Sequence, residues 1–267
     1  MTLEQLNTEF EVVRTQLKSY ILRITASVED AEDIVQDTYI KSSQKIGSFR
    51  EEASVKTWLF TIAANLAKDN IRAKKRWTEN VNDICKAEAL ASASYFPAVM
   101  SIHENSPHGK FEIKEHITFC FTCVSKSLPL EQQICILLKE VYDFKVSEIA
   151  LITDNSEAMV KYYLHTGRTK MIQIFDGRCS LINKEGVCHQ CSELNGIFNP
   201  TQNFEIEKNK IEMARLGEQS DKEHLLDLRL QLMKEIDPFH SDGSDLQLYH
   251  LENNRVVMEN YLELIDE

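Results

Sequence analysis

The sequence has few of the residues that interrupt helices. Only 8 of its 267 residues are glycine and 5 are proline, and alternating segments rich in Val and Thr are scarce. A β-sandwich or barrel requires many turns and alternating strands, so this composition favours helix throughout. Long apolar runs are missing as well. No run approaches the ~18 residues that cross a bilayer, so membrane insertion is not expected.

An export signal is not expected either. The first ten residues, MTLEQLNTEF, contain neither a basic nor an apolar stretch, which predicts no secretory signal. Seven cysteines, an odd number, are then typical of reduced thiols rather than of a disulfide framework. We therefore expect a cytoplasmic protein. Its length suggests about two domains.

Charge is distributed unevenly along the chain. The net charge of −12 divides into +1 for residues 1–78, −3 for 79–175 and −10 for 176–267. A protein that bound nucleic acid through bulk charge would carry clustered cations. Any contact with DNA must therefore come from local basic faces in the first two thirds.

Two amphipathic helices are predicted in the first part of the chain. Ser27, with an acid at Asp30, marks the start of one helix, which buries Ala31, Ile34, Val35 and Thr38. Its other face carries the polar side chains of Asp33, Gln36 and Asp37. Residues 47–52 form a loop, and a second helix runs from Ser54 to about Arg76.

The second helix has a polar and basic face. Phe49, in the preceding loop, offers a ring on which an unstacked base can sit. The alternative is that the polar face is only solvated and Trp58 is only a core residue. The face consists of Thr61, Asn65, Lys68, Arg72 and Lys75.

Residues 128–175 have the outline of a helix-turn-helix. Val146–Thr153 is predicted as the first helix and Asp154-Asn155 as the turn. Ser156 is predicted as the cap of a second helix that reaches past Arg168. That helix presents polar residues suited to the major groove. Any short helical hairpin, however, has the same outline as a helix-turn-helix. They are Glu157, Lys161, Tyr162, His165 and Arg168.

Together these segments resemble bacterial RNA polymerase sigma factors of the extracytoplasmic-function (ECF) group. DAEDIVQDT (30–38) is similar to the segment that binds core polymerase in that family. SFR (48–50) and TWLFTIAANLAKD (57–69) are similar to its promoter-melting segment. LPLEQQ (128–133), EIA (148–150) and VKYYLH (160–165) resemble its C-terminal DNA-binding domain.

The resemblance implies a role for each matching residue. Core polymerase would be held by Asp33, Gln36 and Asp37. The opened minus-ten element would be engaged by Phe49, Arg50, Trp58, Asn65, Lys68 and Arg72. The upstream element would be read by Ser156, Glu157, Lys161, Tyr162, His165 and Arg168. The chain would have no catalytic residue of its own, because the polymerase performs the chemistry. Its partners would be core polymerase, promoter DNA and, in addition, an anti-sigma factor.

The second block departs from the family pattern. Lys145 stands where the family usually has a serine helix cap, and Thr153, Asp154 and Asn155 replace the usual turn. Because Asp and Asn adopt the left-handed turn conformation, the fold is expected to survive. The lost cap and apolar anchor should cost about 1–2 kcal/mol.

The predicted fold is all-α. A region-two-like domain (1–76) and a region-four-like helix-turn-helix domain (112–175) are joined by a linker (77–111). An acidic helical extension with a Cys-bearing loop (176–267) follows. Its clearest helix, 221–236, is predicted to bury Leu225, Leu228, Leu232 and Ile236.

The extension contains a cysteine motif with three readings. Cys179, Cys188 and Cys191 could hold zinc as thiolates, with the imidazole of His189 or of a distant histidine as the fourth ligand. Alternatively, Cys188 and Cys191 could form a reversible disulfide, or all three could simply be buried. No cofactor is required for the sigma-factor role. Cys120 and Cys123 are interpreted as core residues.

Two other classes of protein stay open at this point. One is a free-standing helix-turn-helix regulator that binds duplex DNA as a dimer. Such a protein has no need of the Asp33/Gln36/Asp37 face or the Phe49 loop. The other is a thiol redox protein built on Cys188 and Cys191, against which stands the missing βαβ pattern.

Overall fold

The structure is a computed structural model that describes residues 1–50, 53–72 and 74–265. Within these ranges the regular structure is helical, apart from one isolated β-bridge between Cys179 and Cys188. The predicted all-α fold is confirmed. The described α-helices are α1 (Leu3–Thr25), α2 (Val28–Gln44), α3 (Val55–Ile71), α4 (Val81–Ala91), α5 (Tyr95–Asn105), α6 (Ile113–Ser125), α7 (Leu130–Ile136), α8 (Val146–Thr153), α9 (Glu157–Arg178), α10 (Gln190–Phe198), α11 (Phe204–Lys210), α12 (Glu212–Leu216), α13 (Lys222–Glu235) and α14 (Ser244–Leu264).

None of the described helices is both long enough and apolar enough to cross a bilayer.

The first two helices begin at capping residues that are visible in the sequence. At α1, Thr2 Oγ1 accepts a hydrogen bond from the Gln5 backbone N–H at 3.2 Å, and the Thr2 N–H donates to the Gln5 side chain. At α2, Ser27 Oγ accepts from the Asp30 N–H at 3.0 Å, as predicted. Each cap satisfies backbone N–H groups that have no acceptor inside the helix.

The helices pack into two compact units, and each unit combines separate stretches of the chain. The first unit contains residues 1–76 and 129–167. Helices α1, α2 and α3 pack on one another, and α8 packs on α3. Residues buried in this core include Leu17, Ile21, Leu59, Phe60 and Ile149.

Tyr142 connects the two stretches of the first unit. Its hydroxyl accepts a hydrogen bond from the Arg23 guanidinium at 2.6 Å and lies 2.8 Å from Ser19 Oγ. Its ring packs edge-on against Tyr20. All four side chains are buried, so these hydrogen bonds satisfy groups that water cannot reach.

Helix α3 ends earlier than predicted. It stops at Ile71 instead of running to about Arg76. Beyond its end, Lys74 Nζ lies 3.2 Å from an Asp30 carboxylate oxygen, and the Arg76 guanidinium donates to the Gln133 side chain. A continued helix would crowd adjacent cations and forgo these contacts. Ala73, inside the predicted helix, lies outside the described residues.

The helix-turn-helix follows the predicted bounds. Helix α8 covers Val146–Thr153, and Asp154 adopts the left-handed conformation, with φ 57° and ψ 46°. Ser156 Oγ accepts from the Met159 N–H at 3.2 Å and caps α9. At the α8 start, the Lys145 N–H donates to the Glu148 carboxylate at 2.8 Å. That bond replaces part of what a serine cap would supply.

The second unit contains residues 77–128 and 168–267. It includes residues 77–111, which were predicted as a linker but form α4 and α5. Pro97 is compatible with α5 because it lies in the first turn of that helix, where proline costs little. Helix α6 packs against α4, α10, α13 and α14. Helix α9 contributes residues 157–167 to the first unit and 168–178 to the second.

Helix α13 buries a different face from the predicted one. Leu225 is buried as expected, but Leu228, Leu232 and Ile236 are only half-buried. Arg229 occupies the centre of the buried face with 1% of its surface exposed. The prediction failed because it followed the spacing of apolar residues, and a buried arginine is not part of such a pattern. The buried face consists of Leu225, Leu226, Arg229, Leu230 and Met233.

Candidate functional site

An acidic patch lies on the exposed side of α2. Asp33, Gln36 and Asp37 are all exposed, opposite the predicted stripe of Ala31, Ile34, Val35 and Thr38, which is buried. Within the described residues, neither aspartate of the patch forms an ion pair. Their charges are therefore available to a partner with basic side chains.

Asp30, on the same helix, has a different environment. Its carboxylate accepts a hydrogen bond from Asn70 Nδ2 at 3.0 Å and pairs with Lys74 at 3.2 Å. Burial raises the pKa of Asp30, but the Asn70 hydrogen bond and the Lys74 charge outweigh it and hold the pKa below its usual value. Asp30 thus supports the fold at the end of α3.

The loop before α3 contains an aromatic pair. Phe49 is half-buried, and its ring centroid lies 5.1 Å from that of Trp58, with 41° between the planes. Arg50 is exposed. The Phe49 ring is thus supported from one side by Trp58. Glu51 and Glu52, also in the predicted loop, lie outside the described residues.

The polar face of α3 is only partly open. Asn65 and Arg72 are exposed, and Arg72 pairs with Asp69 at 3.4 Å, a surface contact of little energy. Lys68 is half-buried, and its ammonium donates to the backbone carbonyl of Thr153 at 3.1 Å. Thr153 is the last residue of α8, where the helix dipole favours a cation.

Further contacts hold α8 and the segment before it against α3. Thr57 Oγ1 donates to the Glu148 carboxylate at 3.3 Å, and Lys56 Nζ donates to the Tyr142 carbonyl at 3.4 Å. Partners about 90 residues apart leave no periodic signal, so sequence reasoning missed this packing. The structure therefore brings the predicted melting helix and the first helix of the predicted helix-turn-helix together.

The first half of α9 presents its predicted residues to solvent. Ser156, Glu157, Lys161, Tyr162 and His165 are all exposed. Lys161 lies 4.0 Å from Glu157, one helical turn away. The Tyr162 and Lys161 side chains are thus placed at the surface, as a reader of a groove requires.

Arg168 in the second unit differs from the prediction. Its guanidinium donates to Asp227 of α13 at 2.6 Å and lies 3.9 Å from Glu223, and only 19% of its side chain is exposed. An arginine held in this way must release a carboxylate before it can bind a phosphate.

Comparisons with known proteins match these segments to transcription factors. The family model for sigma-70 region 2 matches residues 10–77, and the model for sigma-70 region 4 matches residues 119–171. The ECF RNA polymerase sigma-E factor of Salmonella typhimurium is 31% identical over 146 residues, which cover 54% of this chain and 73% of that protein. The chain belongs to the ECF group of RNA polymerase sigma factors.

Two further similarities are weaker. The ECF sigma factor EcfG of Rhodopseudomonas palustris is 24% identical over 155 residues, 58% of this chain and 76% of that protein. The solved structure of the sigma factor RpoE from Bartonella quintana, in complex with the anti-sigma factor NepR, covers 64% of this sigma factor and 97% of that chain. Its TM-score is 0.46 and its identity 21%.

Family membership decides between the classes left open by the sequence. This sigma factor directs bacterial core RNA polymerase to promoters and assists DNA melting at initiation. A free-standing dimeric regulator and a thiol redox protein are therefore set aside. The two matched family models cover nothing beyond residue 171. They therefore assign nothing to the cysteine-bearing loop of this sigma factor.

That loop brings three predicted residues together and leaves out the fourth. Cys179, Cys188 and Cys191 line one small cavity. His189 is exposed and does not line it. Cys120 of α6, interpreted from the sequence as a core residue, lines the same cavity.

Proposed function

We propose that this sigma factor holds core polymerase through the acidic patch of Asp33, Gln36 and Asp37. The observation that carries the proposal is the exposure of both aspartates without an ion pair to any described residue. Carboxylates left open on a rigid helix attract a basic partner surface and set its register. Asp30, whose carboxylate is already used by Asn70 and Lys74, has no part in this contact.

Promoter opening uses the loop and helix that follow. The Phe49 ring, supported by Trp58, stacks on an extruded base, which is worth about 1–3 kcal/mol. Arg50, Asn65 and Arg72 then contact the separated strand. Lys68 joins them only after it gives up the Thr153 carbonyl, so α8 and DNA compete for this face of α3.

The upstream element is bound by the exposed part of α9. Ser156, Glu157, Lys161, Tyr162 and His165 lie on its surface, and Lys161 supplies the phosphate contact. The sigma factor acts in the cytoplasm and supplies no catalytic group, because the polymerase performs the chemistry. An anti-sigma factor would be a further partner.

The test is charge reversal on the acidic patch. Asp33→Lys with Asp37→Lys should weaken binding to core polymerase at least about 100-fold, because two attractive contacts become repulsive. The same variant should lose run-off transcription from a cognate promoter while its helicity stays unchanged. The matched control is Glu9→Lys with Glu11→Lys, the same charge change at exposed positions of α1.

Unchanged affinity of the Asp33/Asp37 variant for core polymerase would refute this role of the patch. Equal losses in the test and control variants would point to bulk charge instead.

A further inference from the structure

The second unit contains a cavity that the matched family segments leave almost entirely aside. Its volume is about 360 Å³, and residues of α4, α5, α6, α10 and α14 line it. Among the described lining residues, all but Phe119 lie outside the segments that match the two family models. Sites that bind small organic molecules usually have volumes of roughly 300–1,000 Å³. The cavity is therefore large enough for an organic ligand.

The walls of the cavity are buried and mainly apolar, and its rim is apolar too. Val99, Phe119 and Phe198 line it and are buried. Two other lining residues, Leu90 and Ile197, are 79% and 41% exposed, so the cavity opens to solvent beside them. A recess with buried walls between five helices can surround a small molecule on most sides.

Aromatic rings form part of the wall. The His250 ring centroid lies 5.9 Å from that of Tyr95, 6.0 Å from that of Phe119 and 6.5 Å from that of Phe198. All four side chains line the cavity. Aromatic rings attract further rings in offset or edge-on contact, in addition to the effect of the area that they bury. This wall therefore favours an aromatic ligand.

The charged side chains around the cavity neutralise each other. Lys86 Nζ lies 2.7 Å from a Glu193 carboxylate oxygen, which joins α4 to α10. No other Asp, Glu, Lys or Arg is among the described residues that line the cavity. A charged ligand would have to separate this pair or stay without a counter-charge, and either is costly in a buried place.

The other ionisable groups of the lining are neutral at pH 7. Burial lowers the pKa of His116 to about 4 and, helped by the nearby His116, the pKa of His250 to about 3. Burial also raises the pKa of the Cys85 thiol to about 12. The Tyr95 hydroxyl is already used, since it lies 2.5 Å from His250 Nδ1. The lining thus holds no net charge that would attract an ion.

We propose that this cavity binds one small, uncharged aromatic molecule. The molecule enters beside Leu90 and Ile197 and packs against the buried rings of α6, α10 and α14. Binding is driven by the apolar surface that both sides bury, and it requires no charged group on the ligand.

The test uses a matched pair of dyes on the full chain. N-phenyl-1-naphthylamine is uncharged and aromatic, and its fluorescence rises in apolar surroundings. 8-Anilino-1-naphthalenesulfonate is the same molecule with one added sulfonate. The uncharged dye should bind at one site per chain with a Kd of roughly 1–100 µM. The sulfonate should bind at least about 10-fold more weakly.

Two results with the wild-type chain would overturn the proposal. One is the absence of saturable binding of N-phenyl-1-naphthylamine. The other is equal affinity for the two dyes, because a site that accepts the sulfonate is not selective for uncharged molecules.

Variants on α4 locate the bound dye. Ala89 is half-buried and lines the cavity, whereas Ala87 is exposed and does not. Ala89→Trp should weaken binding of N-phenyl-1-naphthylamine at least about 10-fold, because the indole occupies space that the dye needs. Ala87→Trp, the matched control, should bind it like the wild type. Equal affinities in the two variants would place the dye elsewhere and overturn the assignment. If circular dichroism shows that Ala89→Trp does not fold, Ala89→Leu takes its place.

Sedimentation distinguishes a small molecule from a second copy of the chain as the occupant. The proposal expects the dye to bind without any change in the mass of the sedimenting species. If the chain formed a dimer that expelled the dye, a second copy would cover Leu90 and Ile197, and the proposal would be wrong.

Discussion

The two units use their charged side chains in different ways. In the first unit, Asp33 and Asp37 are exposed, and Lys161 has only a 4.0 Å contact with Glu157. In the second unit, the cations of α9 lie against carboxylates. The pairs are Arg168 with Asp227 at 2.6 Å, Lys170 with Glu79 at 2.5 Å, and Arg178 with Asp83. Asp33, Asp37 and Lys161 of the first unit are thus open to partners, whereas these three cations of the second unit hold its own helices together.

The two units also differ in how far their histidines are buried. His165 is the one described histidine of the first unit, whereas the second unit buries His116 and His250 at 2% and 4% exposure. Burial lowers the pKa of His250 to about 3, helped by the nearby His116, and burial lowers the pKa of His116 to about 4. Stability in acid should therefore differ between the units.

The largest expected effect is on the stability of the second unit in acid. Between pH 6.5 and their folded pKa values, His116 and His250 bind protons in the unfolded chain but not in the folded one. Lowering the pH through this range therefore favours unfolding. From pH 7 to pH 5, His250 alone should cost about 2 kcal/mol of unfolding free energy. The two tryptophans report separately, because Trp58 lies in the first unit and Trp77 in the second.

Urea unfolding of Trp58→Phe and Trp77→Phe, followed by fluorescence, measures each unit by its remaining tryptophan. His250→Gln should flatten the pH dependence seen through Trp77, whereas His240→Gln, at an exposed histidine, should leave it unchanged. If the unfolding free energies reported by the two tryptophans depended equally on pH, the predicted difference in acid stability between the units would be wrong.

The second effect concerns strand opening. Phe49→Ala should weaken open complexes by about 1–3 kcal/mol through lost base stacking, with little change in affinity for the closed duplex. Permanganate reactivity of promoter thymines measures the opening. Phe96→Ala, at an exposed aromatic in the second unit, is the matched control. Footprints identical to wild type would contradict the role of Phe49.

The third effect compares two cations on one helix. Lys161→Ala should reduce the salt dependence of duplex binding by about one unit of slope, since one phosphate contact is lost. Arg168→Ala should change the slope less, because Asp227 already neutralises that arginine. Equal changes for both variants, measured as log affinity against log salt, would show that DNA displaces the Asp227 pair easily.

The smallest effect comes from releasing Arg168. Asp227→Asn should raise duplex affinity only a few-fold, because a pair with an exposed partner is worth about 1 kcal/mol or less. Adding Arg168→Ala to Asp227→Asn should abolish the gain. A gain that persists in the double variant would trace to net charge rather than to this pair. Truncating the chain after Phe175 would also remove Asp227 and release Arg168. It is a poorer test, because it also removes α13 and α14, which pack on α6.

Local signals in the sequence predicted the elements that depend on local chemistry. Ser27 and Ser156 cap the helices that they were expected to cap, and α8 has the predicted bounds. The buried stripe of α2 also followed from its spacing. In each case the deciding hydrogen bonds or contacts lie within a few residues of one another.

What the sequence could not predict depends on distant partners. The early end of α3 follows from contacts of Lys74 and Arg76 with residues 44 and 57 positions away. Arg229 is buried because α13 packs on α6, and Cys120 joins cysteines at least 59 residues further along the chain. The roles of the individual site residues stay predictions until the variants are measured.

The interleaving of the two units has a consequence for synthesis on the ribosome. Helix α6 is complete at Ser125, but its partner α13 begins only at Lys222. Translation at about 5–20 residues per second leaves the apolar face of α6 without that partner for roughly 5–20 s. The first unit can close earlier, once residue 167 has emerged. The nascent chain should therefore need a chaperone for its middle segment, and slowing elongation between residues 125 and 222 should increase aggregation.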